Sequence, residues 1–158
     1  MQSYQLISLD IWDTVLRRDC HPDAIKVETA AVLLEQRGAL LKEEYRSGRA
    51  LFRLRQAVER DLGQQSVSRG YDDEYEMHAV FREVLVRSLS EPLPEEELSA
   101  LTERLVAEEL AAEKRHIYLD PGIEAKIDSI PHERLVCISD FYAGEAFLKE
   151  LIEAAGFS

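Results

Sequence analysis

The sequence predicts an α/β protein that is mostly helical by residue count, with two parallel strands and an all-helical subdomain inserted between them. Two short apolar runs, Leu6–Leu9 and Leu135–Ile138, are bounded by polar residues, a pattern typical of parallel strands covered on both faces. The long region between them shows helical periodicity. We therefore expect an α/β core formed by residues 1–20 and 116–158 and a helical cap formed by residues 21–115.

The first strand is followed by two predicted helices. Proline is favoured just inside the start of a helix and glycine just beyond its end, so the first helix should begin at Pro22 and stop at Gly38. The second should end before Gly63. Their buried faces are expected to be Val27, Ala30, Ala31 and Leu34 in the first helix, and Leu51, Leu54, Val58 and Leu62 in the second.

Two more helices complete the predicted cap. The third covers residues 73–88, and the fourth starts at Pro94, where an acidic run of glutamates complements the positive end of the helix dipole. The apolar stripes at helical spacing are Met77, Val80, Phe81 and Val84 in the third helix, and Leu98, Leu101 and Leu105 in the fourth.

The chain after residue 115 is expected to return to the α/β core. Asp120 is predicted to cap a short helix that has Pro121 at its first position and runs to Ser129. The second strand follows, and a final helix should extend from Ala143 to Ala155. This order gives a right-handed crossover between the parallel strands, with the cap inserted into it.

Charge and hydropathy exclude several classes of partner. The chain has 19 basic and 31 acidic residues, a net charge of -12, which disfavours nucleic acid and anionic lipid as partners. The first nine residues are too few and too polar for a signal peptide, and no stretch approaches the ~20 apolar residues needed to span a membrane. We expect a cytoplasmic protein.

The cysteines and histidines show no ligand spacing along the chain. Cys20 and Cys137 are isolated, and the four histidines are scattered. From the sequence alone we expect neither a disulfide nor a zinc site.

Polar residues at the two strand ends carry the main functional signal. Asp10 closes the first strand and Ser139 follows the second, and in an open parallel sheet such ends meet at one crevice. The run Leu9–Thr14 resembles the first motif of the haloacid dehalogenase (HAD) superfamily of hydrolases, and Leu135–Ser139 resembles its second. The resemblance implies a partial Rossmann-like (HAD-like) parallel sheet with a helical cap between the two motifs.

The same resemblance implies a magnesium-dependent phosphatase of small phosphorylated metabolites. Asp10 would be the nucleophile that forms an aspartyl-phosphate. Mg²⁺ would bind the Asp10 carboxylate and the backbone carbonyl of Trp12. The hydroxyl groups of Thr14 and Ser139 would bind phosphate oxygens.

The first motif departs from the family pattern at Trp12. Most phosphatases of the superfamily have an aspartate there that protonates the leaving group, which indole cannot do. Either Asp13 performs this step, or catalysis lacks it and is slower by ~10²–10⁴. Dehalogenating members have an aromatic residue at this position and use no metal, so a metal-independent dehalogenase-type hydrolase is an alternative.

The resemblance covers only the first part of a family catalytic domain. The lysine and the acidic loop of the later family motifs have no counterpart in the 158 residues, since Lys149 is expected on the final helix. This absence favours a second alternative, a non-catalytic binding or regulatory module. Its exposed sheet edge would pair with a second copy or a complementing chain.

Overall fold

The computed structural model describes residues 3–157; Met1, Gln2 and Ser158, which the predicted α/β core includes, lie outside the described residues. Most described residues are helical, and the strands form one parallel and one antiparallel pair. The strands are β1 (Ile7–Asp10), β2 (Leu16–Arg18), β3 (Ile117–Leu119) and β4 (Leu135–Ile138). The helices are α1 (Pro22–Arg37), α2 (Gly48–Ser68), α3 (Met77–Ser88), α4 (Glu95–His116), α5 (Ile123–Asp128) and α6 (Glu145–Ala154).

The described residues divide into two compact units. The first comprises the residues up to Cys20 and from Lys114 onward, and the second is His21–Glu113. The predicted cap, residues 21–115, ends two residues beyond this second unit, and both limits lie within α4.

The predicted parallel pairing of β1 with β4 is confirmed. Ile7 lies opposite Leu135, and the register continues to Asp10 opposite Ile138. The expectation that both faces of these strands are covered is wrong, because half-buried and exposed residues alternate along each strand. Ser8, Asp10, Val136 and Ile138 are the exposed members.

A second strand pair was not predicted. β2 and β3 are antiparallel, with Leu16 opposite Leu119 and Arg18 opposite Ile117. Each strand has only three residues, and β2 contains two arginines, so neither strand has the long apolar run by which β1 and β4 were predicted.

Helix α1 has the predicted bounds but a different buried face. Its buried residues are Ile25, Thr29, Ala30 and Leu33, whereas the predicted members Val27 and Ala31 are exposed. Thr29 is tolerated in the interior because its hydroxyl donates to the Ile25 carbonyl (3.1 Å) and to Glu109 Oε2 (3.2 Å).

Helix α2 continues past the predicted stop at Gly63 to Ser68. The side chain of Asp73 packs closely against Gly63, because a Cβ atom at position 63 would lie 1.9 Å from Asp73 Oδ1. The glycine therefore marks a close contact inside the helix rather than its end. Helix α3 begins at Met77 rather than residue 73, and its predicted apolar stripe is buried, as is that of α4.

The second unit also contains buried charged side chains. Arg55 and Glu59 on α2 and Glu109 on α4 are all buried. Tyr75 lies near them, and burial, with the negative charge of Glu59, raises the pKa of its hydroxyl to about 12.

In the first unit, the prediction that Asp120 caps a helix is wrong. Helix α5 begins at Ile123 after Gly122, which has a φ of 88° and provides no side-chain cap. The carboxylate of Asp120 instead accepts a 2.7 Å hydrogen bond from Arg17 Nε. A turn in which Ile123 N donates to Asp120 O leads into the helix. Helix α6 ends one residue before the predicted Ala155.

Candidate active site

Asp10 is the last residue of β1 and lies opposite Ile138 in the parallel register. Beyond this pair the ladder continues by one more bond, in which Ile11 N donates to Ile138 O at 3.1 Å. Asp10 is exposed to solvent. No hydrogen bond or ion pair joins the Asp10 carboxylate to the described part of the chain, so it is available to a ligand.

A tight turn follows β1 and holds Trp12, Asp13 and Thr14. The amides of Val15 and Leu16 both donate to the Ile11 carbonyl, at 2.9 and 2.8 Å. The Asp13 amide donates to Leu16 O at 2.9 Å, and Asp13 has a φ of 58°. Its carboxylate is 91% exposed and lies 3.7 Å from the Arg17 guanidinium. Thr14 is half-buried in the turn.

Trp12 is half-buried and stacks with residues that sequence reasoning left unassigned. The Arg18 guanidinium lies 3.5 Å from the centre of the Trp12 ring, a cation–π contact. The Phe141 ring centroid is 5.0 Å from that of Trp12. The indole Nε1 is buried and has no hydrogen-bond partner among the described residues. Trp12 therefore joins the ends of the two motif segments by packing.

Ser139 directly follows β4 and is half-buried. Its hydroxyl oxygen accepts a hydrogen bond from the Phe141 amide at 3.1 Å. Ser139 also lines an open groove beside α6, together with Ile11 and Cys137. Within the described chain, Asp10, Asp13 and Thr14 are not among the residues that line this groove.

Two arginines of β2 lie beside the turn that follows β1, and one of them is paired with carboxylates. Arg17 Nε donates to Asp120 Oδ2, and this bond, which outweighs the cost of desolvation, raises the pKa of the Arg17 guanidinium. Arg18 lies 5.5 Å from the Phe141 ring centre, in addition to its contact with Trp12.

The structure thus places Asp10 at the end of β1 and Trp12, Asp13 and Thr14 on the turn after it. Packing of the Trp12 ring on Phe141 joins that turn to the segment after β4. Sequence reasoning assigned no role to Arg18 or Phe141, which contact Trp12 in the structure. The signal that could have indicated a role is their position in the sequence, because each lies within a few residues of a motif. From there, both side chains can stack on Trp12. Lys149 is on α6, where its ammonium lies 4.0 Å from a carboxylate oxygen of Glu153.

The predicted ligands for Mg²⁺ are of a suitable type. Mg²⁺ is a hard ion that prefers oxygen ligands and commonly keeps several waters when one or two carboxylates bind it. The exposed carboxylate of Asp10 and the backbone carbonyl of Trp12 provide two such oxygens, and exposure leaves room for water.

Comparisons with known proteins assign no family. A scan against protein-family models finds no match for this chain, and a search of curated proteins finds no significant relative. Among the described residues, no helix is both long enough and apolar enough to cross a membrane.

Proposed function

We propose that this chain is a HAD-like hydrolase that acts on small phosphorylated metabolites through an aspartyl-phosphate at Asp10. The observation that carries the proposal is the parallel pairing of β1 and β4, because Asp10 is the last residue of β1 and Ser139 directly follows β4. The contact between Trp12 and Phe141, two residues beyond each, adds support. Strand ends of this kind are where open parallel sheets bind ligands.

In the proposed reaction, the Asp10 carboxylate attacks phosphorus and the leaving-group oxygen departs. Asp10 suits this role because it ends a strand and its carboxylate is not committed to another described residue. Ser139 and Thr14 would donate hydrogen bonds to the phosphoryl oxygens. Arg18, held by its stacking on Trp12, adds positive charge nearby. Bound Mg²⁺ would supply charge neutralisation that lets one anion attack another.

The basicity of the leaving group decides whether the reaction needs a general acid to protonate it. Trp12 cannot donate a proton, so only Asp13 among the motif residues offers a second carboxylate. Substrates with an acidic leaving group, such as p-nitrophenyl phosphate, need no protonation and are the suitable first assay.

The test uses Asp10→Asn, which keeps the shape of the side chain and removes its charge. With Mg²⁺ present, the wild-type chain should hydrolyse p-nitrophenyl phosphate, and Asp10→Asn should lose this turnover. Beryllofluoride with Mg²⁺ should give an aspartyl-beryllofluoride complex, in which the Asp10 carboxylate oxygen coordinates beryllium. Its ¹⁹F NMR signals should be absent in the variant, which tests the nucleophile without requiring turnover.

Asp128→Asn is the matched control, because Asp128 is an exposed aspartate at the end of α5. Equal turnover in the wild type and Asp10→Asn, or beryllofluoride binding to both, would reject the proposal. Halide release from a 2-haloalkanoate that persists in EDTA would instead support the metal-independent dehalogenase alternative.

A second candidate function is a non-catalytic module that pairs with a second copy of the chain. Its support is the sheet itself, since β1 and β4 each have only one strand neighbour among the described residues. On β4, Val136 and Ile138 are exposed apolar side chains. Two β4 strands can pair about a twofold axis, because identical edges are self-complementary. The oligomeric state tests this candidate.

A further inference from the structure

The end of the β2–β3 ladder contains a cluster of metal-ligating side chains that is separate from the proposed phosphatase residues. Asp19, Cys20 and His116 each offer one ligand atom, and these atoms lie within 4.8 Å of one another. In the described part of the chain, this is the one cluster of three or more such residues that could hold an ion. We propose that it binds a borderline transition-metal ion, with Zn²⁺ the expected ion.

The backbone fixes two of the three ligands relative to each other. Arg18 lies opposite Ile117 in the antiparallel register, so Asp19 and His116 are the next residues beyond the paired ends. Asp19 N donates to His116 O at 2.9 Å, which extends the ladder to these residues. A site built on paired strands holds its ligands more precisely than one on a free loop.

The third ligand joins the cluster because the chain bends. In a regular strand, the neighbours Asp19 and Cys20 would project to opposite faces. Both residues lie in a bend rather than in β2, so the alternation does not apply and both side chains reach His116. Sequence spacing could not reveal this, because His116 is distant along the chain.

The chemistry of the ligand set selects the ion. Thiolate and imidazole favour Zn²⁺ and related transition ions, whereas Mg²⁺ prefers oxygen alone. Three protein ligands leave the fourth tetrahedral position for water, as in open zinc sites. Binding requires Cys20 to lose its thiol proton and His116 to be neutral, so the site should weaken as pH falls.

The site can be reached from solvent, and small movements would close it around an ion. The side chains of Asp19 and His116 are 61% and 27% exposed. At present His116 Nδ1 and Asp19 Oδ1 are 2.7 Å apart. An ion at about 2.0–2.2 Å from both atoms would replace this hydrogen bond and separate them by several tenths of an ångström. The net charge of -12 favours uptake of a cation.

Titration of the tag-free full chain with Co²⁺ tests the proposal, since Co²⁺ occupies zinc sites and reports its ligands by absorption. We expect one equivalent to give a thiolate-to-cobalt charge-transfer band, and Zn²⁺ to abolish it. Cys20→Ser should lose the band, and His116→Gln should weaken binding about a hundredfold or more. Cys137→Ser and His78→Gln are the matched controls and should behave as wild type.

Cysteine alkylation gives a second readout that needs no variant. Zn²⁺ should slow iodoacetamide labelling of Cys20 but not of Cys137, as located by mass spectrometry, and EDTA should restore the rate. Cys137 suits as the internal reference because burial raises the pKa of its thiol. The proposal would be overturned if no charge-transfer band appears, if the band survives Cys20→Ser, or if it is lost in Cys137→Ser. Failure of Zn²⁺ to protect Cys20 from labelling would overturn it as well. The cluster would then contain only a histidine–aspartate ion pair.

Discussion

Asp13 has a left-handed backbone conformation, with a φ of 58°, at the centre of the turn that follows β1. This conformation costs most L-residues roughly 1–2 kcal/mol, and aspartate is among those that visit it most readily. The turn requires it, because the Asp13 amide donates to Leu16 O. Position 13 thus has a conformation typical of glycine while it carries a carboxylate.

Substitutions at Asp13 should therefore separate backbone strain from chemistry. We expect Asp13→Ala to be less stable than Asp13→Gly by about 1 kcal/mol in urea unfolding, because glycine adopts positive φ without strain. Both variants lack the carboxylate. If the turnover of an alkyl phosphate falls by a factor of ~10²–10⁴ in both variants, Asp13 is the general acid. If turnover is unchanged, the reaction proceeds without a general acid.

Asp61 provides the control for the stability difference. It lies within α2 and pairs with Arg87 at 2.6 Å, and both Asp61→Ala and Asp61→Gly lose that ion pair equally. In a helix alanine is favoured over glycine by about 1 kcal/mol, so the order should reverse. The same order at both positions would show that the positive φ of Asp13 imposes no strain.

At the scale of elements, α1, α2 and α4 share a buried network of charges. Arg55 on α2 forms a bidentate pair with Glu109 on α4, in which Nη2 donates to Oε1 at 2.7 Å and Nη1 donates to Oε2. Arg55 Nε also donates to Glu59 at 2.9 Å. Lys26 on α1 donates to the second oxygen of Glu59 at 2.7 Å. The charges are thus paired where burial would otherwise make them costly.

Removing one member of the network should be strongly destabilising. Glu109→Ala leaves the Arg55 guanidinium buried without its bidentate partner, so we expect a loss of about 3–5 kcal/mol in the free energy of unfolding, measured with urea. Replacing both partners, as Arg55→Met with Glu109→Leu, should recover most of the loss, because neither charge then stays buried alone.

The exposed pair Arg82–Glu95 has the same bidentate geometry, with contacts of 2.8 and 2.7 Å, and serves as the control. Glu95→Ala should reduce the free energy of unfolding far less than Glu109→Ala does, since water screens the charges of the exposed pair. Equal losses at Glu95 and Glu109 would contradict the assigned role of burial.

The elements also show how far sequence reasoning reaches. The stripe from Met77 to Val84 was predicted because four large apolar residues of α3 recur at helical spacing, and all four are buried. On α1, apolar residues recur at helical spacing on two faces. The face that is buried includes Thr29, and its hydrogen-bond partner Glu109 belongs to a helix that is distant in sequence. A contact of that range has no local signal, so the predicted face was wrong.

The candidate site, like the helices, could be predicted only where the sequence has a local pattern. Asp10 and Ser139 could be found because each stands at the end of an apolar run, and the parallel pairing that relates the two strands was inferred correctly. The stacking of Arg18 on Trp12 and the convergence of Cys20 with His116 both depend on the β2–β3 pair. Strands of three residues, two of them charged in β2, lack the pattern by which strands are recognised.

At the scale of the whole molecule, two opposing features govern self-association. The net charge of -12 makes copies of the chain repel each other. The β4 edge favours pairing, because β4 has no strand neighbour other than β1 among the described residues, and Val136 and Ile138 on it are 39% and 60% exposed. The balance between them should depend on ionic strength.

We expect the chain to be mainly monomeric at low salt and increasingly dimeric as salt rises, measured by light scattering at high protein concentration. Raising salt from about 0.01 M to 0.15 M shortens the Debye length from about 30 Å to 8 Å, which weakens the repulsion but not the strand pairing. Val136→Lys should abolish the dimer, because a lysine on an edge strand opposes pairing. Val86→Lys is the matched control, since Val86 is 52% exposed on α3, and it should dimerise as wild type. A monodisperse monomer at all salt concentrations, or equal loss in both valine variants, would contradict pairing through β4.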